Sequence, residues 1–165
     1  MADRRMTRAF LIGLFLSAAG VTASAQDSTL PSMATFWRAG DQGERLELRG
    51  QVVDTAGRPL AGATVYVRQA DGSGVYSDSY QGRMLTDRDG TYVLRTVLPG
   101  NYGGLMHIHM TVVHESGGAE DTRVLFKDDP NLPPSLLDEA IVLDETSIGG
   151  DRLWMGNFDV VLGGP

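Results

Sequence analysis

At 165 residues, 42% of them hydrophobic, the chain has material for one packed domain and not for two. Its 21 acidic residues outweigh 14 basic ones, with Lys127 the only lysine, which excludes the Lys/Arg surface that a nucleic-acid partner requires. With no cysteine, disulfides, thiolate metal sites and cysteine nucleophiles are excluded together, so a metal would have to be held by His, carboxylate or Tyr.

Arg4, Arg5 and Arg8 precede an apolar run from Ala9 to Val21 that closes in Ala23-Ser24-Ala25. A basic start, a short apolar middle and small residues at the end predict a secretory signal peptide over residues 1–25, cleaved before Gln26. The run is too short to cross a hydrocarbon core of about 30 Å, so no stable membrane anchor is expected after cleavage. Cleavage also removes Arg4, Arg5, Arg8 and Asp3, taking the formal charge from −7 to about −9. The expected product is exported, to a periplasm or to the extracellular space.

Residues 26–45 mix Ser, Thr, Pro, Gly and charge and read as an N-terminal arm, with Phe36 and Trp37 as anchors. Patterned sequence begins at 46 and runs to 165 as one domain. Leu46, Leu48, Val52 and Val53 predict a strand closed by the turn Asp54–Pro59. Ala63, Val65 and Val67 alternate with Thr64, Tyr66 and Arg68, the period of a half-buried strand. Asp71-Gly72-Ser73-Gly74 and Asp87-Arg88-Asp89-Gly90 are turns, and Tyr92–Val97 is a strand stopped by Pro99-Gly100-Asn101. His107–His114, Val124–Phe126 and Phe158–Leu162 complete the strands, and Pro134 can open a short helical turn over Ser135–Glu139. Together with 21 glycines, this predicts an all-β protein, an antiparallel β-sandwich of about seven or more short strands with long active-site loops.

All three histidines fall within eight residues. On a strand His107 and His109 share a face, roughly 6.5–7 Å apart at Cβ, while Ile108, Met110 and Val112 face the other way. Such a pair is either the polar side of an exposed strand or two imidazoles able to converge on one metal. His114 has the opposite parity and should not join them. Two imidazoles leave a metal short of ligands, and without cysteine the further donors are carboxylates or phenolates: Tyr102 is close enough for a short loop to return it to the same site, and Tyr76 follows another loop. Taken alone, each tyrosine reads more readily as a half-buried aromatic with its hydroxyl satisfied.

The segments Gly57–Ala63, Gln69–Tyr76, Thr86–Tyr92, Leu94–Tyr102 and His107-Ile108-His109, continued by Thr122–Phe126 and Phe158–Leu162, resemble the ordered motifs of intradiol ring-cleavage dioxygenases of the protocatechuate and catechol type. The resemblance spans roughly Leu48 to Leu162. It implies a non-haem Fe(III) cofactor held by Tyr76, Tyr102, His107 and His109, and a catechol-type substrate opened with O2 between its two hydroxylated carbons to give a muconate-type diacid. It also implies that Tyr102 leaves the metal when substrate binds and accepts a proton. Tyr66 and Tyr92 match no ligand position.

Two departures from the family pattern stand out. Only Gly103-Gly104-Leu105-Met106 separate Tyr102 from His107, where the family has a longer loop carrying an arginine. Arg123 replaces a glutamine of the Thr-Gln motif, and the expectation is that Arg123 supplies the missing positive charge from the neighbouring strand. The shorter loop also predicts a more open cleft. A different class of protein remains open at this level: a non-catalytic transthyretin-like or carboxypeptidase-regulatory-like sandwich that binds a partner, with or without iron. Homo-oligomer formation is also left open.

Overall fold

Leu46, Leu48 and Val52 alternate with Arg45, Glu47, Arg49 and Gln51, and this ten-residue strand is the axis of the first of two sheets. The computed structural model describes residues 30–116 and 118–163. The leader predicted over residues 1–25 lies outside them.

The first sheet runs β1 (Met33–Thr35), β5 (Thr91–Val97), β2 (Arg45–Asp54), β10 (Asp151–Asn157) and β9 (Asp144–Ile148), with β11 (Val160–Leu162) also paired to β2. The second runs β4 (Tyr76–Leu85), β3 (Thr64–Ala70), β6 (His107–Val113), β7 (Ala119–Phe126) and β8 (Ala140–Ile141). Between them lie the inward residues of both sheets, among them Leu46, Leu48, Tyr92 and Leu94 from one and Val65, Val67, Met84, Ile108, Met110 and Phe126 from the other. Burying each such side chain is worth about 1.5–3 kcal/mol. Ile108, Met110 and Val112 therefore lock the facing of β6, and His107 and His109 are turned outward as a consequence.

The all-β sandwich stands as expected, with two differences of detail. The sheets are mixed: β1 runs parallel to β5, β8 parallel to β7, and β10 and β11 both parallel to β2. The last two share one long strand because the chain leaves β2 at Asn157 and rejoins it at Val160, its Phe158 N–H donating to the Arg49 carbonyl. The loops carrying the two tyrosines are compact rather than long. The arm over residues 26–45 contributes β1, and Phe36 is an anchor in the core. The helical turn starting at Pro134 is a single 3-10 turn, Pro134–Leu136. No helix among the described residues is long and apolar enough to cross a membrane.

Candidate metal centre

At the end of β3 the buried Gln69 side chain joins the sheets. Its amide donates to the Ala70 and Val97 carbonyls, and its oxygen accepts from the Thr96 hydroxyl. From this clamp the chain leaves β3 toward Tyr76 and leaves β5 toward Tyr102. Asp71 then folds the first loop over itself, its carboxylate accepting from Ser73 N–H and O–H and from Val75 N–H. These bonds hold the Asp71 carboxyl below the usual carboxylate range, the Ser73 side chain contributing most. The Asp71 carbonyl in turn accepts from Gly74 and Gly100, tying the two loops together.

The second loop reverses at once. Gly103 and Gly104 take positive φ values of 65° and 111°, and Tyr102 faces Leu105 across an isolated bridge. The Asn101 side chain clasps this turn, donating to the Gly104 carbonyl and accepting from its N–H. Just beyond, the Met106 N–H donates to the buried Asp129 carboxylate at 2.7 Å, which fixes the backbone immediately before His107.

Tyr76, Tyr102, His107 and His109 come together at this end of the second sheet. The rings of Tyr76 and Tyr102 meet edge to face with centroids 4.8 Å apart, those of His107 and His109 at 4.6 Å, and Tyr76 lies 6.5 Å from His109. His107 Nδ1 lies 3.0 Å from the Leu105 carbonyl, so that nitrogen carries the proton and Nε2 presents its lone pair. The two Nε2 atoms face each other at 3.0 Å. Burial, His107, and the guanidinium groups of Arg123 and Arg68 push His109 below the usual histidine range, which keeps it neutral near pH 7. Burial raises the Tyr76 phenol above the usual tyrosine range; nearby Arg68 opposes the rise and Tyr102 adds to it. Tyr76 and His107 are half-buried, while Tyr102 is 54% exposed at the rim. The excluded residues are elsewhere: His114 bonds Ser116 and Ala61, Tyr92 is buried with its hydroxyl donating to the Phe158 carbonyl, and Tyr66 is exposed on β3.

Arg123 pairs directly with His109 across β6 and β7, on the same face. Arg68 does the same from β3. Its guanidinium lies 4.7 Å from the Tyr76 ring centroid, a cation over an aromatic face. Sequence reasoning singled out Arg123, which stands beside His109, and did not single out Arg68, Gln69 or Asp129. The outward parity of Arg68 was legible beside Val65 and Val67, but the adjacency of β3 and β6 was not. Among the described residues no three His, Cys, Asp or Glu side chains gather, so a metal site here depends on the phenols.

A family model described as Dioxygenase matches residues 18–123, well over half of the chain. The chain belongs to the intradiol ring-cleavage dioxygenase family. The chlorocatechol 1,2-dioxygenase of Rhodococcus opacus is 25% identical over 190 residues, covering 94% of this chain and 72% of that protein. The catechol 1,2-dioxygenase of Pseudomonas sp. (strain EST1001) is 39% identical over 85 residues, 44% of this chain but only 28% of that enzyme. Among solved structures, the dioxygenase domain of a dioxygenase carbohydrate-binding protein fusion from Streptomyces sp. SirexAA-E superposes with a TM-score of 0.66 at 28% identity, covering 84% of this chain and 92% of that domain. Mercury-inhibited catechol 1,2-dioxygenase from Acinetobacter sp. ADP1 gives a TM-score of 0.71 at 21% identity over 82% of this chain and 59% of its own, a likeness of fold.

Proposed function

We propose that the chain is an exported, non-haem Fe(III) intradiol dioxygenase in which Tyr76, Tyr102, His107 and His109 hold the iron. The observation that carries this reading is the convergence of two phenols on two imidazoles whose Nε2 atoms stand 3.0 Å apart. Two imidazole nitrogens that close together could both be donors to one cation. Hard phenolate oxygens suit a ferric ion, and a bound trivalent cation offsets the burial that raises the Tyr76 phenol.

Ferric iron, when bound, would supply the redox-active Lewis acid that couples a catecholate to O2. The bond between the two hydroxylated carbons breaks, each carbon gains one oxygen atom from O2, and a muconate-type diacid results. The protein residues divide the remaining work. His107 is oriented by the Leu105 carbonyl, and Tyr76 is held under Arg68. Tyr102, exposed and mounted on the Gly103-Gly104 turn, is the donor free to turn away and take up a catechol proton at its phenolate oxygen. Arg123 and Arg68, on either side of His109, offset negative charge on the ring where the family arginine is missing.

Full-length protein from iron-replete cells should be red-brown and should consume one O2 per catechol with intradiol product. Tyr76→Phe or His109→Ala should bleach or shift the colour. Protein that stays colourless and iron-free after ferric reconstitution would overturn the metal assignment. Export predicts that the protein recovered outside the cytoplasm begins at Gln26.

A further inference from the structure

Among the described residues, six of the ten arginines meet carboxylates: Arg45, Arg49, Arg58, Arg88, Arg95 and Arg152. None of these belongs to the second sheet. The other four have no carboxylate partner, and Arg38 among them gives its guanidinium to Ser79. The remaining three, Arg68, Arg83 and Arg123, all project from the outer face of the histidine sheet. In a chain with 21 acidic residues, three cations on one face with no ion-pair partner are a selective arrangement.

The cross-strand register sets their order. Gln81, Arg68, His109 and Arg123 form one row; Arg83, Tyr66, Thr111 and Asp121 form the next row away from the tyrosines. The rows are two residues apart along each strand, about 6.8 Å. Over the β3 and β4 side of these rows lies an open cleft of about 690 Å³, lined by Tyr66, Arg68, Asp78, Gln81, Arg83 and His109 among others. That is the size of a site for a drug-sized ligand, far more than the eight heavy atoms of catechol occupy. The two carboxylates on this face are engaged by neutral donors, Asp78 by the Gln81 amide and Asp121 by the Thr111 hydroxyl.

The geometry points to a subsite for an anionic arm of the substrate. The ring sits at the tyrosine and histidine end, and a side chain ending in a carboxylate runs over His109 to Arg83, with exposed Tyr66 as its wall. The substrate class is then a catechol whose carboxylate stands two to three bonds off the ring, rather than bare catechol. This rests on the proposed site but is measured without turnover.

The test is calorimetric titration of the full chain with 3-(4-hydroxyphenyl)propanoate and with its methyl ester, which cannot be cleaved as a catechol is. The acid should bind at least tenfold more tightly than the ester, with an advantage that shrinks as salt rises. Arg83→Gln should bring the acid-to-ester ratio close to one, and Arg83→Lys should retain most of it. Equal affinity for acid and ester, or a preference that survives Arg83→Gln because the carboxylate is bound elsewhere, would overturn the subsite. Ring cleavage without acid preference overturns this inference alone; acid preference without ring cleavage overturns the enzymatic reading alone.

Discussion

Tyr76 and Tyr102 lie 4.8 Å apart between ring centroids, yet the backbones that deliver them are built on different terms. The Tyr76 loop is packed backbone against backbone on Gly100 and Asn101, the root of the loop that carries Tyr102. A Cβ on Gly100 would come within 2.5 Å of the Gly74 nitrogen and 2.6 Å of the Gly72 carbonyl oxygen, and one on Gly74 within 2.5 Å of the Asn101 carbonyl oxygen. The Tyr102 turn is the reverse: a Cβ on Gly103 or Gly104 meets nothing within 4 Å, and the turn is fastened mainly by Asn101. One phenol is therefore fixed at the root of the sandwich and the other is carried on an arm in solvent. That division suits a site in which one donor stays while the other yields to substrate.

The strongest way to break the contrast is to push the packed side apart. Gly100→Ala should cost about 3 kcal/mol, because the atoms in its path are backbone and cannot rotate away. The melting temperature should fall by roughly 10 °C, and iron retention should fall with it as Tyr76 and Tyr102 separate. Thermal melting alongside iron content checks both. Unchanged values would mean that the two loops are not locked together as the hydrogen bonds from Gly74 and Gly100 to Asp71 indicate.

The legibility of the two halves in the sequence follows the same division. The turns at Asp71 and Asp87 and the strands β2, β3, β5 and β6 announce themselves, because Asp-x-x-Gly turns and period-two apolar residues are local signals. Parity alone was enough to set His107 and His109 on one face and His114 apart. β4 was not legible: of Tyr76–Leu85 only Tyr80 and Met84 are buried, and the strand exists through its pairing with β3. β9 is wholly exposed and owes its existence to β10 in the same way. Arg68, Gln69 and Asp129 escaped for a related reason, since each acts across the fold, on Tyr76, on Thr96 and Val97, and on Met106. Motif resemblance named Tyr76, Tyr102, His107 and His109 together as candidates, which neither spacing nor composition could do.

A gentler perturbation sharpens the comparison by removing charge without removing shape. Asp71→Asn keeps an oxygen that can accept from Ser73 and Val75 but loses the carboxylate those groups favour. The Asp71 pKa is lower folded than unfolded, so its stabilisation is present above the unfolded value of about 3.9 and is lost as pH falls through the folded one. The parent should therefore melt a few degrees above Asp71→Asn at pH 7, and the gap should close as pH falls below the unfolded value of about 3.9 and through the folded one. A gap that stays constant down to acid pH would assign the loop's stability to its hydrogen-bond geometry and not to the charge.

The smallest effect is expected on the open side. Gly103→Ala places a Cβ in a left-handed conformation at φ 65°, a strain of about 1 kcal/mol, but into empty space. Because few contacts join this turn to the core, the strain should be relieved by local opening, moving the melting temperature by no more than about 3 °C. Hydrogen exchange should locate it: the Gly104 N–H, which donates to Asn101, should exchange faster, while amides of β2 and β6 should not change. A melting loss matching that of Gly100→Ala would show the Tyr102 turn to be as tightly bound to the fold as the Tyr76 loop. In that case the freedom to yield to substrate would have to come from the Tyr102 side chain alone.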